Sequence, residues 1–449
     1  MLYPRLKVAR NLLADDGAII ISIDEHEHAN VRKICDELFG KDNFRNTLLT
    51  RRRVKSLNSQ FSGVGLYSMN VGFEYVLIYA KSRNFLMKAL SRKKQNSSAK
   101  GRWNVFWSNS DRPTMRYHLL GFKPVTGQWR WSEEKALEAV SNYQEYVKNF
   151  SKNISLEDYW RKTGKKLKFV RRIADGKGKN GGVQYWVPPS DTVLRTSNWM
   201  DIEVSQIKKD FNLPFDNPKS VDLVMELLSL NNSKNYTVLD FFAGSSTTAD
   251  CAMRLNAKDG GNRNYIMVQL DENIGKDTAA YNAGFKTISD LSRERIRLAG
   301  KKVLEGECHP NWNRDVGFRA LRVDSSNMKD VYYHPDKIQQ SNMLNQIDNV
   351  KEGRTSEDLL FQVMLNWGVD LTLPISSETV LGRTVFFVNN NALVACFEKD
   401  ITEELVRKLA GHRPLRMVFH DSGFNDDDLK INVEQLLRQL SPNTDIRVI

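Results

Sequence analysis

The feature that most constrains the fold is a short run of β-branched residues, Ala18–Ile23 (AIIISI), which lies between two amphipathic segments. Residues 3–13 place apolar side chains at helical spacing, and residues 29–39 do the same before Gly40 ends the pattern. A nearly continuous apolar run is typical of a strand buried on both faces of a parallel sheet. With a second strand at Phe73–Ala80, the first eighty residues predict an α/β architecture.

The middle of the chain differs from this pattern in charge and aromatic content. Residues 81–200 hold 25 lysines and arginines against 9 acidic residues, a net charge of +16, so the rest of the 449-residue chain sums to −4. Seven of the nine tryptophans lie here as well, where they can pack a small domain and also contact bases. A cationic excess confined to one segment indicates a phosphate-contacting surface, although a solvated lysine-rich face is the simpler alternative. The candidate cations are Lys165, Lys166, Lys168, Arg171 and Arg172.

The α/β pattern returns after this basic segment. Residues 237–242 (TVLDFF) predict a buried strand, residues 265–270 (YIMVQL) predict a second one, and the charged residues 288–298 predict a helix. Further along, two apolar runs flank the turn 389–391, which is typical of paired strands.

These changes of pattern predict four segments in one α/β chain. Residues 1–90 and 201–310 are expected to be two parts of the same domain. Residues 91–200 are expected to form a basic domain inserted between those parts, and residues 311–449 a small C-terminal α/β domain.

The strongest local signal for a ligand site is the stretch LDFFAGSSTT at residues 239–248. A strand that ends in Asp240 is followed by small residues and then by a helix, and Gly244 permits a close approach of the backbone to a ligand. Gln269 and Glu272 follow the next strand, where an amide or acidic side chain can bind ribose hydroxyls. The pattern lacks the full G-x-G-x-x-G of dinucleotide sites, and an ordinary turn with a capping serine explains it equally well.

Composition excludes several other classes of protein. Hydrophobic residues make up 41% of the chain, but no apolar run is long enough to span a bilayer, and no signal peptide is recognisable at the N-terminus. The four cysteines and seven histidines show no metal-binding spacing, so neither a zinc site nor a disulfide framework is expected. We therefore expect a cytoplasmic protein without membrane association or bound metal.

Several separated motifs resemble one family. The stretch DFFAGSSTTA is similar to the S-adenosylmethionine-binding motif of the β-group DNA amino-methyltransferases, usually DFFAGSGTTA. Motifs that resemble the modification (Mod) subunits of type III restriction-modification systems occur in the family's order and cover nearly the whole chain. They are residues 1–24, CDELFG at 35–40, FEYVLIYAKS at 73–82, FDNPKS at 215–220, GGNRNYIMVQLDE at 260–272, RERIRLAG at 293–300, 315–330 and 392–401.

The resemblance implies a Rossmann-like methyltransferase sheet and assigns roles to particular residues. The cofactor loop runs from Asp240 to Thr247, with Gln269 or Glu272 opposite it at the ribose, and Pro218 and Lys219 near the amino-acid end of the cofactor. Ser246 stands where the family typically has glycine, so we expect weakened binding, provided that the position requires no positive φ. The implied cofactor-binding set is Asp240, Phe241, Phe242, Ala243, Gly244, Ser245, Ser246, Thr247, Pro218, Lys219, Gln269 and Glu272.

The catalytic motif of this group, Asp-Pro-Pro-Tyr with Asn or Ser as variants of its first residue, does not occur in the sequence. Val187-Pro188-Pro189-Ser190 has the two prolines without the flanking groups, and we interpret it as a loop. In the family the motif precedes the stretch that residues 1–24 resemble. The resemblance therefore implies an N-terminally truncated chain with no catalytic residue, and a gap in the sheet between strands 237–242 and Ala18–Ile23.

By resemblance, the chain is a DNA adenine-N6 methyltransferase subunit that uses S-adenosyl-L-methionine and double-stranded DNA, and is inactive without the missing part. A homodimer, a restriction (Res) subunit and a complementing N-terminal fragment are the implied partners, and the basic segment falls at the target-recognition domain. Two alternatives stay open, a catalytically dead DNA-binding remnant and a cytosine-N4 methyltransferase.

Overall fold

The computed structural model describes residues 2–52, 71–98, 100–174, 176–202, 211–215, 218–329, 350–424 and 427–449. The chain divides into two compact units, residues 1–319 and residues 320–449. None of the helices in these ranges has the length and apolar character that crossing a bilayer requires.

The secondary structure is mixed, as the sequence predicts. The helices are α1 (Leu2–Leu12), α2 (His28–Phe39), α3 (Glu133–Asn149), α4 (Leu156–Lys162), α5 (Val221–Leu228), α6 (Thr247–Asp259), α7 (Ala279–Asn282), α8 (Ile288–Leu304), α9 (Ser356–Asn366), α10 (Glu403–Ala410) and α11 (Asp427–Leu440). The strands are β1 (Ala18–Ile23), β2 (Phe44–Arg51), β3 (Phe73–Ala80), β4 (Ser91–Ser98), β5 (Arg102–Val105), β6 (Trp107–Ser108), β7 (Gln128–Trp129), β8 (Val170–Arg172), β9 (Val183–Val187), β10 (Ser190–Leu194), β11 (Asn198–Trp199), β12 (Asn235–Asp240), β13 (Asn262–Met267), β14 (Ile375–Val380), β15 (Arg383–Val388), β16 (Leu393–Cys396), β17 (Arg416–Phe419) and β18 (Asp445–Val448).

The first sheet of the N-terminal unit has the order β1-β3-β2-β11. Strand β3 runs antiparallel to both β1 and β2. The prediction that β1 pairs in parallel is therefore wrong for the strand that pairs with it in the described structure. Helices α1 and α2 cover one face of the sheet through a cluster that includes Leu6, Val31 and Tyr79, and α5 covers the other face beside Val76. Burial of both faces explains the continuous apolar runs, because it selects apolar residues whatever the direction of the neighbouring strand.

The second sheet of this unit is the parallel pair β12–β13, in which Asp240 lies opposite Met267. Strand β13 begins and ends three residues before the range that the sequence predicted. One face of the pair packs against α5, α6 and α8 through Tyr236, Val238 and Tyr265. Helix α5 contacts both sheets, and Phe241 extends the contact, because its ring packs against the α1–β1–α2 cluster. This packing places the loop after β12 beside the first sheet.

The basic segment folds around aromatic residues within the same unit. Helix α3 packs on β8 and β9 through a core that includes Phe106, Trp129 and Val183, and α4 adds a second cluster around Trp186. Trp129 and Trp186 are buried, which favours the packing role for the tryptophans of this segment. Trp199 belongs elsewhere, since β11 pairs with β2 and its indole lies in the core of the first sheet.

The C-terminal unit is a five-stranded sheet in the order β14-β15-β16-β17-β18. The turn after β15 has positive φ at Asn389 and Asn390, and β15 and β16 pair antiparallel as expected. The two β-strands that follow, β17 and β18, join in parallel. Helices α10 and α11 bury one face around Leu405 and Leu437, and α9 buries the other around Met364, so this unit has its own core.

Candidate functional site

The loop between β12 and α6 contains the residues that resemble a cofactor-binding motif. Strand β12 ends at Asp240, whose carboxylate accepts hydrogen bonds from the Phe242 amide at 3.2 Å and the Thr248 hydroxyl at 2.6 Å. The Ala243 amide donates to the carbonyl of Val268 at 3.1 Å, which ties the loop to the end of β13. The loop is thereby braced at the carboxyl edge of a parallel strand pair, the edge where open α/β sheets bind ligands.

Gly244 provides the open backbone that the sequence predicts for this loop. Its φ is +52°, in the left-handed region that favours glycine, and a Cβ placed there would have Phe215 Cζ as its nearest neighbour, at 3.8 Å. The Gly244 amide donates to the side-chain oxygen of Gln269 at 2.8 Å, and the Gln269 side-chain nitrogen donates to Leu270 O at 3.3 Å. Both polar ends of Gln269 thus hold backbone, whereas the Glu272 side chain is exposed.

Ser246 occupies a left-handed backbone conformation, with φ 55° and ψ 40°. The condition under which we expected serine to fit, that this position requires no positive φ, is therefore not met. A left-handed conformation costs a non-glycine residue about 1–2 kcal/mol. The Ser246 hydroxyl is fully buried and hydrogen bonds to the hydroxyl of Ser292 in α8, a contact that glycine would lack.

A network of charged side chains connects the loop to α6 and α8. Arg295 of α8 is fully buried and donates to Ser245 Oγ at 2.9 Å, to Thr247 Oγ1 at 2.7 Å and to the carboxylate of Asp250 at 3.1 Å. Arg254 donates to the other carboxylate oxygen of Asp250 at 2.5 Å. Loss of one partner from a buried ion pair costs about 3–5 kcal/mol.

The nearby thiol of Cys251 is inert, because burial, followed by the charge of Asp250, raises its pKa well above the usual range.

The other residues of the predicted cofactor set lie around this loop. Phe242 is 57% exposed, with the guanidinium of Arg5 5.7 Å from its ring centroid, and Ala243 is buried. Pro218 is half-buried, and the ammonium group of Lys219 forms an ion pair with Glu74 of β3. Asp216 and Asn217 of the same motif lie outside the described residues.

The five predicted DNA-contacting cations fall into two groups. Lys165, Lys166 and Lys168 are exposed in the connection between α4 and β8. The two arginines lie in β8 and are held by protein acceptors. Arg171 donates to the side-chain oxygen of Gln184 and stacks on Trp103, with its guanidinium 4.1 Å from the ring centroid; Arg172 donates to carbonyls of Gly181 and Leu120.

Two further sequence features lie within the described residues. The two prolines at 188 and 189 connect β9 to β10, as expected of a loop. Carboxylate and imidazole atoms of Asp24, Glu25 and His26 lie within 4.8 Å of one another, near enough to share an ion. Glu25, however, is paired with Arg52 at 3.2 Å, and His26 is exposed, so the group is satisfied by protein and solvent.

Sequence reasoning missed Ser292 and Arg295, the two residues of α8 that hydrogen bond to the loop after β12. Arg295 lies in RERIRLAG, residues 293–300, and Ser292 directly precedes that motif. Position on the helix was the available signal, because Ser292, Arg295 and Ala299 follow helical spacing on a face that is otherwise apolar.

Comparison with known proteins identifies the family of this chain. Residues 1–280 match the DNA methylase family model, which covers more than half of the chain. The chain belongs to the DNA methylase family. It is 31% identical over 330 residues to the type III restriction-modification enzyme StyLTI Mod subunit of Salmonella typhimurium, and 28% identical over 473 residues to the EcoPI Mod subunit of Escherichia phage P1. The resemblance to Mod subunits and the α/β fold class are confirmed.

The similarity covers different shares of each relative. The aligned region is 72% of this chain and 47% of the Salmonella protein, and 94% of this chain and 68% of the phage protein. The type II methyltransferase M.KpnI of Klebsiella pneumoniae is 31% identical over 340 residues, which are 66% of this chain and 72% of that protein. The chain thus spans about half to two thirds of the Mod subunits that it matches.

Proposed function

We propose that this DNA methylase is the Mod subunit of a type III restriction-modification system, which transfers a methyl group from S-adenosylmethionine to adenine N6 in double-stranded DNA. The observation that carries the proposal is the Gly244 loop, placed between Asp240 at the end of β12 and the first turn of α6. The similarity to Mod subunits supports the choice of type III system, and the exposed lysines of the basic segment support DNA as substrate.

The residues of the loop fit this cofactor. Gly244 leaves room for a ligand, because the nearest described atom outside residues 243–245 is Phe215 Cζ, 3.8 Å from the place where a Cβ would stand. The half-exposed ring of Phe242 provides an apolar surface of the kind that adenine rings pack against, and the exposed carboxylate of Glu272 is an acceptor for ribose hydroxyls. When bound, S-adenosylmethionine supplies an electrophilic methyl group on a sulfonium centre.

In this proposal the protein's own side chains bind and orient S-adenosylmethionine. Asp240 keeps the loop in place through Phe242 and Thr248, and Gln269 holds the Gly244 backbone. Glu272 is the proposed ribose ligand, because both polar atoms of the Gln269 side chain are already bonded to the backbone. Pro218 and Lys219 lie in the neighbouring segment, where Lys219 is held by Glu74.

Calorimetric titration of residues 1–449 with S-adenosylmethionine tests the cofactor. We expect binding by the unmodified chain and none by Asp240→Ala, because that change releases both the Phe242 amide and the Thr248 hydroxyl. Asp277→Ala is the matched control, since Asp277 is an exposed acidic residue beyond the loop. Equal affinities for the Asp240→Ala and unmodified chains would refute the assignment.

A second candidate function is DNA binding without methyl transfer. It is favoured by the combination of exposed lysines at 165, 166 and 168 with a sequence that contains no Asp-Pro-Pro-Tyr. Methylation assays with digestion of the DNA and mass spectrometry of the nucleosides separate the candidates. In assays with an added polypeptide that carries an Asp-Pro-Pro-Tyr strand, N6-methyladenine supports the first proposal and N4-methylcytosine makes the chain a cytosine enzyme. No methylated base in those assays, together with tight DNA binding, supports the second candidate.

We also propose that a polypeptide bearing an Asp-Pro-Pro-Tyr strand completes the sheet beside β12. Among the described strands, β12 pairs only with β13, and β1 pairs only with β3. On the neighbouring strand β13 and directly after it, alternate apolar side chains are exposed, Ile266 at 50%, Val268 at 48% and Leu270 at 63%, so one face of the strand pair is uncovered in the described structure. Edge strands offer unpaired backbone groups, and contiguous exposed apolar side chains mark interaction sites.

Adding such a polypeptide tests the completed sheet. We expect slower hydrogen exchange at the β12 amides and methylation that the chain lacks alone; methylation by purified residues 1–449 without it would contradict the proposal. Two further partners are proposed from the similarity to Mod subunits, a second copy of this chain and a restriction (Res) subunit. Sedimentation of the chain alone and with that subunit tests both.

A further inference from the structure

The three hydroxyl side chains of the cofactor loop point away from the open side of Gly244. Ser245, Ser246 and Thr247 are 3%, 0% and 6% exposed. Their hydroxyls bond to α8, Ser246 to Ser292 and the other two to the guanidinium of Arg295. The three consecutive loop residues are thus all bonded to α8. Ser292 and Arg295, the residues of α8 that make these bonds, are less than one helical turn apart.

The charge of Arg295 is neutralised within the same network. Asp250 lies in the first turn of α6, is fully buried and bonds Arg295 at 3.1 Å. Burial of a guanidinium is costly unless its charge is paired, and Asp250 pairs with Arg295, although the Nε of Arg295 has no hydrogen-bond partner in the described structure. Arg295 therefore holds both the loop and the helix that follows it, through acceptors on each.

The beginning of α8 holds the opposite side of the proposed site. Thr287 caps the helix with Asp290 in a capping box. The amide of Ile288 donates to Glu272 O at 3.1 Å, and Asn273 pairs with Thr287 in an isolated bridge. One helix thus fixes the backbone of Glu272 at its first turn and the Ser245–Thr247 hydroxyls in its second.

We propose that α8 is the element that positions the cofactor site, with Arg295 and Ser292 as positioning residues. The helix holds the loop and the Glu272 backbone at a constant separation, so that both sides of the site are formed before a ligand arrives. Neither residue needs to touch the cofactor. This inference rests on the proposed function for its ligand, but the loop geometry that it describes is a property of the protein alone.

The experiment compares Arg295→Lys and Ser292→Ala with Ile296→Val in the full chain. Lysine keeps the positive charge but cannot reach Ser245, Thr247 and Asp250 together, because it lacks the planar fork of donors. Ile296 is 4% exposed, lies on the same helix and packs against α6, so its change weakens the core without touching the loop. Each variant is measured for thermal unfolding, for the S-adenosylmethionine Kd and for hydrogen exchange of amides 243–247 without ligand.

We expect Arg295→Lys to raise the Kd about tenfold and to speed loop exchange by a similar factor, with Ser292→Ala giving a smaller change in the same direction. Ile296→Val should lower the unfolding temperature and leave both the Kd and loop exchange within twofold. A Kd and loop exchange that change no more in the two α8 variants than in Ile296→Val would overturn the inference. If Arg295→Lys fails to fold, Ser292→Ala carries the comparison.

Failure of the proposed function gives a different result. If the unmodified chain binds no S-adenosylmethionine, the cofactor proposal falls, and loop exchange in the ligand-free variants still decides whether α8 positions the loop. Faster exchange confined to residues 243–247 supports the positioning role; exchange that rises equally throughout β12 and α6 refutes it.

Discussion

The side-chain oxygen of Gln269 accepts a hydrogen bond from the backbone amide of Gly244 at 2.8 Å. The two residues are 25 positions apart, and the bond joins the carboxyl ends of two parallel strands across the proposed cofactor site. Gln269, one of the two residues that the sequence predicted for the ribose, supports the backbone of the glycine loop in this structure.

The Gln269–Gly244 bond predicts the effect of shortening that side chain. Gln269→Ala removes the acceptor, and the net loss for one hydrogen bond is about 0.5–1.5 kcal/mol. We expect the S-adenosylmethionine Kd to rise ~2- to 10-fold, measured by calorimetry, while Gln362→Ala, in the C-terminal unit, leaves it unchanged. A Gln269→Ala protein that binds as tightly as the unmodified chain would show that the bond has no part in binding.

The left-handed backbone of Ser246 predicts that two substitutions change the free energy of unfolding by different amounts. Ser246→Gly relieves about 1 kcal/mol of strain and loses the Ser292 bond, worth a similar amount, so the free energy of unfolding should change by less than ~1 kcal/mol. Ser246→Val puts a β-branched side chain at φ 55° and removes the same bond, so a loss of more than ~2 kcal/mol is expected. Denaturant unfolding measures both, and equal losses for Gly and Val would contradict the left-handed conformation.

The three exposed lysines predict the salt dependence of DNA binding. Each phosphate contact that is lost lowers the slope of log K against log salt by about 0.9, so changing Lys165, Lys166 and Lys168 to Gln should lower it by up to ~2.7. The slope is read from fluorescence anisotropy over a range of salt concentrations. A matched triple change of exposed cations in the C-terminal unit, Lys399, Arg407 and Lys408 to Gln, should leave it unaltered. An unchanged slope in the first variant would make the lysines a solvated face.

The capping box of α9 predicts an acid-sensitive helix in the C-terminal unit. Hydrogen bonds from the Thr355 amide, and then from its hydroxyl, hold the pKa of Asp358 below its usual value. A lowered pKa means that Asp358 stabilises the fold above the unfolded value of about 3.9, and that this contribution is lost as the pH falls through the lower folded pKa.

Asp358→Asn should therefore speed hydrogen exchange in residues 356–366 at pH 6, with the difference from the unmodified chain shrinking below about pH 4. Asp370→Asn serves as a control outside the helix. A difference that persists unchanged at pH 3 would mean that the carboxylate charge is not what stabilises the cap.

The sequence alone determined the local elements. β1 and β3 match the ranges that their apolar runs predicted. Strand β12, the Gly244 turn and the start of α6 at Thr247 follow from residues that are adjacent in the chain. The family also followed from sequence, because its motifs occur in order along the chain. Such features depend on periodicity and on the backbone freedom of single residues, which are local properties.

Only the tertiary structure decided what holds the site. Arg295 lies 45 to 50 positions from the three residues it bonds, and β3 is antiparallel to β1 although its composition suits a parallel neighbour. Apolar pattern reports that a residue is buried without saying which partner buries it. The partner of a buried polar group is set by how helices pack on sheets. For Arg295, that packing brings α8 within hydrogen-bonding distance of Ser245 and Thr247.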